Sequence, residues 1–380
     1  MKQLQETGVY VHIPFCSGKC NYCDFLSAPG SEEEMESYVD LLSREAACHR
    51  SRFTARTVFV GGGTPSILPD RLLTRLIEQV VAPFARPDGP IEFTVECNPE
   101  SFSPATARLL RRLGADRLSL GLQSFVENDL RGLGRRHTVR QALEAYELAR
   151  EAGFASVNLD LMYGFPGHTE RAWEASLERA VTLAPEHVSA YCFILEEGTR
   201  FWPAHEAGEL PDEDGDLQAS MYDRCRQVLA DRGYRHYEIS NFALPGHECR
   251  HNLRYWRNES YLGLGLGAVS FQDGHRRGNA RTMPAYRSQV EEGRPWDWIE
   301  DALSPNARVR ESLILGLRLL EGVDPRTVPG NPLAEHEHEE IGRVLDRWQA
   351  RGLVARCDDR YALTERGLFL SNEVFADLVA

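Results

Sequence analysis

Six short runs rich in β-branched and aromatic residues, at positions 9–13, 57–60, 92–96, 117–120, 156–161 and 187–193, alternate with longer segments carrying apolar residues at helical spacing. Each run has the length of a strand, and each longer segment can supply the crossover helix that parallel strands need. Between the first two runs, Ser31 and Glu34 form a capping-box pattern, and Met35, Tyr38 and Leu42 share one helical face. Comparable helical patterns occupy 69–84, 104–113, 138–152 and 170–182. The rhythm predicts an α/β protein whose residues 1–205 form a partial (β/α)6 TIM-like barrel.

In such folds the strand-to-helix loops converge on one rim, and sites are built there. The unusual residues fall where that rule puts them. Cys16, Cys20 and Cys23 follow the first run, Gly61-Gly62-Gly63-Thr64-Pro65 follows the second, Glu96 ends the third, Gln123 lies just past the fourth, and Asp160 lies within the fifth. Three thiolates at gaps of four and three residues can wrap one side of a metal centre. An iron–sulfur cube held by three cysteines keeps its fourth iron open to an exchangeable ligand. Tetrahedral zinc, with His12 as a further donor, fits the same spacing, although no second two-cysteine knuckle exists; ordinary buried thiols fit it too. The other six of the nine cysteines are scattered singly, which is a poor disulfide framework. A glycine triplet allows bare carbonyls to approach a ligand or simply makes a tight turn.

Charge narrows the choice of partners. The 380 residues hold 43 Lys+Arg against 57 Asp+Glu, a net charge of −14, so nucleic-acid phosphates and anionic lipid would be repelled at long range. No stretch approaches the length of a membrane span, and MKQLQETG lacks the apolar core of a secretory signal, so a cytoplasmic location is expected. Past residue 200 the β/α rhythm breaks. Residues 206–305 read as a linker and an HNLRYW segment packing on the barrel. Residues 306–380 show helical periodicity at 308–320 and 339–351, then LVARCDDRYALT, which alternates around Asp358-Asp359 as a hairpin would. Helices followed by a hairpin suggest a smaller C-terminal domain ending in a winged-helix-like module. The acidic surroundings of His336 and His338 argue against DNA contact and for a solvated helix.

The run Tyr10-Val-His-Ile-Pro-Phe-Cys-Ser-Gly-Lys-Cys-Asn-Tyr-Cys-Asp-Phe25, with GGGTP about forty residues later, resembles the signature of radical S-adenosylmethionine (SAM) proteins. Within them it is similar to the branch containing anaerobic coproporphyrinogen III oxidase and the HemW-type haem chaperones. The resemblance implies a [4Fe-4S] cluster on Cys16, Cys20 and Cys23, whose open iron is chelated by SAM and whose electron can split the sulfonium to methionine and a 5′-deoxyadenosyl radical. It implies further that Tyr10 and Tyr22 lie against SAM, that Gly62, Gly63 and Thr64 meet its amino group, and that Glu96, Gln123, Arg135 and Asp160 complete the SAM site. Each of these four also fits a satisfied buried polar group.

Two features separate the branches. The oxidase has a further cysteine two residues beyond the third, where this chain has Asp24-Phe25. His251-Asn-Leu-Arg-Tyr255-Trp256 fits the HNxxYW pattern of the chaperones, which implies haem as a ligand. His251 would be an axial ligand or a structural histidine, Cys249 an alternative thiolate, and Tyr255 and Trp256 stacking faces. The resemblance therefore implies a haem chaperone that passes haem to acceptor proteins, such as those of respiratory membranes. The alternative it leaves is an oxygen-independent coproporphyrinogen III oxidase, and a zinc-stabilised binding protein is the non-redox option.

Overall fold

The computed structural model describes residues 4–85, 92–300, 303–329 and 335–379. All six expected runs are strands, namely β1 (Gln5–Ile13), β2 (Phe53–Gly62), β3 (Glu92–Cys97), β4 (Arg117–Gln123), β5 (Ser156–Tyr163) and β6 (His187–Cys192), paired in parallel in that order. Crossover helices join them, including Glu32–His49, Pro104–Arg112, Val139–Glu151 and Glu170–Leu183. The first helix starts where its sequence said: Ser31 Oγ accepts the Glu34 N–H, and the Glu34 carboxylate accepts the Ser31 N–H. Val9, Val11 and Ile13 of β1 are fully buried, as are Val39 and Leu42 of that helix. Burying side chains of this size contributes roughly 1.5–3 kcal/mol each. The result is the partial (β/α)6 barrel that the rhythm predicts.

One expected helix differs in detail. The stretch 69–84 is α-helical over Asp70–Leu76, widens to a π turn over Ile77–Val81, and tightens to a 3-10 turn over Ala82–Phe84. Pro83 has no N–H to give the preceding turn, so regular α bonding stops before it.

The region after residue 200 contributes to the same sheet. Beside β6 lie β7 (Arg235–Glu238) and β8 (Asn241–Ala243), both antiparallel. At the other edge β9 (Tyr261–Leu264) pairs in parallel with β1, and β10 (Val269–Gln272), β11 (His275–Gly278) and β12 (Trp298–Ile299) continue outward. Twelve of the described strands thus make one sheet, ordered β12-β11-β10-β9-β1-β2-β3-β4-β5-β6-β8-β7. These added strands are four residues or fewer, and Gly263, Gly265 and Gly267 interrupt their apolar pattern.

At the C-terminus, helices Pro305–Gly316 and Glu335–Ala350 precede the hairpin β13 (Val354–Cys357) and β14 (Arg360–Leu363), followed by Glu365–Phe369 and Ser371–Val379. Asp358 takes a left-handed conformation, φ 52°, in the turn. Val323 exchanges backbone hydrogen bonds with Tyr361 at 2.8 and 2.9 Å, so the wing is tied to the preceding helical part.

Candidate active site

The loop between β1 and the helix Glu32–His49 carries the three cysteines, and its base is pinned. Cys16 N–H donates to the Ala28 carbonyl at 3.1 Å, and Ala28 N–H to the Pro14 carbonyl at 3.0 Å. His12 adds a strut from the barrel side. Its Nε2 lies 2.8 Å from the Leu26 carbonyl and its Nδ1 2.9 Å from the Tyr10 hydroxyl. A carbonyl only accepts, so Nε2 carries the proton and Nδ1 accepts from Tyr10. This is the neutral imidazole, in line with burial lowering its pKa. His12 therefore supports the loop and is not turned toward the cysteines.

The second loop closes on the first. Gly63 N–H donates to the Ile13 carbonyl at 2.8 Å and Thr64 N–H to the Phe15 carbonyl at 2.7 Å, while Thr64 Oγ1 lies 2.9 Å from Cys16 Sγ. A side chain at Gly63 would place its Cβ 2.5 Å from the Phe15 carbonyl oxygen, and Gly62 has a φ of +105°. Both positions require glycine for a stated geometric reason. Gly62 N–H donates to Glu96 Oε2 at 2.9 Å, which joins the ends of β2 and β3.

These loops border one cavity of about 320 Å³ at the C-terminal ends of the barrel strands. Its wall includes Cys16, Cys20, Cys23, Tyr22, Gly62, Gly63, Thr64, Glu96, Gln123, Arg135 and Asp160, so eleven residues expected from the sequence meet in one place. Tyr10 is in the barrel interior beside it, with its ring 6.3 Å from that of Phe59. Sequence reading passed over Asn98, Ser119, Gly121 and Tyr191, which also line the cavity. Their positions at the ends of β3, β4 and β6 were the available signal.

The electrostatics are those of a polar pocket whose deeper groups are buried. Arg135 donates to Asn98 Oδ1 at 2.8 Å and to the Gly121 carbonyl at 2.5 Å, and its other terminal nitrogen lies 3.5 Å from Cys20 Sγ. Burial would lower its pKa, but Tyr22, Cys20 and Glu100 outweigh burial and hold it above the ordinary value. Burial pushes Glu96 up to about 8, helped by the nearby Asp160 carboxylate, and burial raises Asp160 as well. Ser119 and Asn158 donate to Asp160 at 3.0 and 2.8 Å.

The donor set fits an iron–sulfur cube. Cys16, Cys20 and Cys23 are free thiols, partly exposed, on one cavity wall. Among the described residues no three His, Cys, Asp or Glu side chains are close enough to hold a single metal ion. In a cube each cysteine binds its own iron, so the sulfurs stand farther apart than around one zinc. The glycine carbonyls and the buried carboxylates offer acceptors to a ligand carrying an ammonium group and hydroxyls.

His251, Tyr255 and Trp256 lie elsewhere. They belong to the helix Arg250–Trp256, which packs at the other end of the barrel. Glu92, at the start of β3, accepts the N–H groups of Arg250 and His251 at 2.9 Å each and so caps this helix. His251 is 1% exposed, with Nδ1 2.9 Å from Thr57 Oγ1 and Nε2 2.9 Å from the Tyr255 hydroxyl. Burial, then the charges of Arg254 and Arg117, lowers its pKa to about 3. The Trp256 ring faces Arg318, whose guanidinium carbon is 4.4 Å from the ring centre. None of the three residues borders the cysteine cavity.

Comparison with known proteins places these observations. Residues 10–180 match the radical SAM superfamily and residues 303–370 the HemN C-terminal domain. The heme chaperone HemW of Bacillus subtilis is 33% identical over 96% of this chain and 97% of its own length. The corresponding protein of Escherichia coli is 34% identical over 98% of both chains. Among solved structures, the coproporphyrinogen III oxidase HemN of Escherichia coli superposes with a TM-score of 0.85 at 23% identity, over 99% of this chain and 91% of that one, a likeness of fold.

Proposed function

Because the chain belongs to the HemW family within the radical SAM superfamily, we propose that it is a haem chaperone, holding a [4Fe-4S] cluster, SAM and haem and passing haem to acceptor proteins. The observation that carries this reading is near-full-length similarity to proteins named for haem chaperoning. Asp24-Phe25, standing where the oxidase has a further cysteine, supports it.

Cys16, Cys20 and Cys23 would hold the cluster, and the adjoining cavity would hold SAM. When bound, the two groups would together supply one-electron chemistry. The chain's own contribution is positional. Arg135 spans Asn98, Gly121 and Cys20; Thr64 supports Cys16; and Glu96 fixes the Gly62 backbone that borders the cavity. Tyr22, Gln123 and Asp160 complete the wall. Tyr10 contributes through His12 to the placement of the cysteine loop.

The acceptors we propose are apo forms of haem proteins, those of respiratory membranes among them, and the chaperone would meet them from the cytoplasm. Among the described residues no helix is long and apolar enough to cross a membrane. The test pairs a haem titration with a turnover assay on anaerobically reconstituted protein. Saturable haem binding, with no protoporphyrinogen formed from coproporphyrinogen, SAM and reductant, is the expected result. Protoporphyrinogen formation would replace the chaperone reading with the oxidase one.

A further inference from the structure

The mouth of the cysteine cavity carries three large apolar side chains that solvent reaches. Phe25 is 59% exposed, Ile194 60% and Tyr191 39%, and all three border the cavity. Phe25 comes from the loop after β1. Tyr191 and Ile194 come from the end of β6 and the residues just past it, so they reach the mouth from the opposite end of the six-strand run. Exposed large apolar side chains gathered at one opening mark a binding surface.

The same rim holds an unusual cation. The chain has two lysines, Lys2 and Lys19, among 43 basic residues, and Lys19 borders this cavity. Among the described residues no carboxylate pairs with Lys19, and none pairs with Arg136, whose exposed guanidinium packs over the neighbouring Gly18. Asp24 and Glu196 border the mouth as well. The charges at the mouth are therefore mixed, with Lys19 and Arg136 as the cations on the side of Gly18.

Resting on the haem-chaperone reading above, we propose that haem lies across this mouth, its macrocycle against Phe25 and Ile194 and a propionate on Lys19. The assigned site is therefore at the cysteine end of the barrel and not at His251. A cavity of about 320 Å³ is at the small end for ligand pockets, so a SAM molecule within it leaves a tetrapyrrole only the rim. A flat ring with apolar faces and two carboxylates on one edge matches apolar flanks beside an unpaired ammonium and guanidinium.

The test is a titration of the full, cluster-reconstituted protein with haem and with its dimethyl ester, whose propionates are blocked. Wild type is expected to prefer haem over the ester. Lys19→Met should remove that preference, and Ile194→Ser should weaken both ligands by about fivefold or more. Ile194 lies outside the cysteine loop, so its variant carries the test even where Lys19→Met lowers the iron content, which is measured in parallel. Haem binding unchanged in Ile194→Ser, with the ester preference intact in Lys19→Met, would overturn the mouth site while leaving the chaperone reading standing. No haem binding by wild type would instead remove the chaperone reading itself.

Discussion

Thr57 Oγ1 lies 2.9 Å from His251 Nδ1, and five residues further along the same strand Gly62 gives its N–H to Glu96. At about 3.3 Å per residue, some 16 Å of β2 separates the two contacts. One strand thus carries the HNxxYW helix at one level and the wall of the cysteine cavity at another. β3 repeats the arrangement, with Glu92 capping that helix and Glu96 reaching the cavity. His251 consequently closes the barrel's far end, and iron could reach its imidazole only by displacing Thr57 or Tyr255.

A neutral buried His251 makes the fold acid-sensitive. Its pKa is about 3 in the folded protein against 6.5 when exposed, so below pH 6.5 the unfolded chain takes up a proton that the folded chain does not. Stability is fully present above pH 6.5 and falls as the pH drops toward 3. His49, His168 and His236, lowered chiefly by burial to about 4, act in the same direction. From pH 6.5 to 5, His251 alone should cost about 2 kcal/mol. Denaturant melts across that range should show the loss, and His251→Asn should make the pH slope shallower while lowering stability at neutral pH.

Gly63→Ala should damage the cysteine loop and not the barrel. The added Cβ meets the Phe15 and Ile13 carbonyl oxygens at 2.5 and 2.8 Å, and backbone cannot swing aside as a flexible side chain can. A destabilisation of about 1–3 kcal/mol is expected, with iron and sulfide incorporation well below that of wild type and far-UV circular dichroism retained. Incorporation equal to wild type would show that the loop yields without consequence.

Arg135→Met should leave Asn98 Oδ1 and the Gly121 carbonyl without their shared donor in a buried setting. A loss of about 3 kcal/mol in the metal-free protein is expected from thermal or chemical melts. Arg135→Lys should recover little of it, because an ammonium cannot span Asn98, Gly121 and Cys20 together.

The barrel was legible in the sequence because its six strands are long enough to show β-branched runs and its helices carry clear caps, as at Ser31 and Glu34. That Glu96, Gln123 and Asp160 share one cavity was legible because they fall at or near the ends of their strands, whereas Tyr22 and Arg135 came only from the family resemblance. Strands β7 to β12 were not, since two to four residues interrupted by glycine give no period to read. The location of His251 was hidden for a different reason. Whether an imidazole faces a ligand or a threonine hydroxyl depends on which end of the barrel its helix covers, and no local pattern encodes that. The exposure of Phe25 and Ile194 was equally invisible, because isolated apolar residues in loops look alike whether covered or bare.

The most direct measurement follows haem itself. Protein reconstituted with its cluster and loaded with one haem is mixed with an apo haem protein, and the Soret bands of donor and acceptor are recorded over time. The result expected of a chaperone is a fall in the donor band matched by growth of the acceptor band, faster than free haem is released into buffer. Retention of haem by the donor, or release no faster than into buffer, would contradict it.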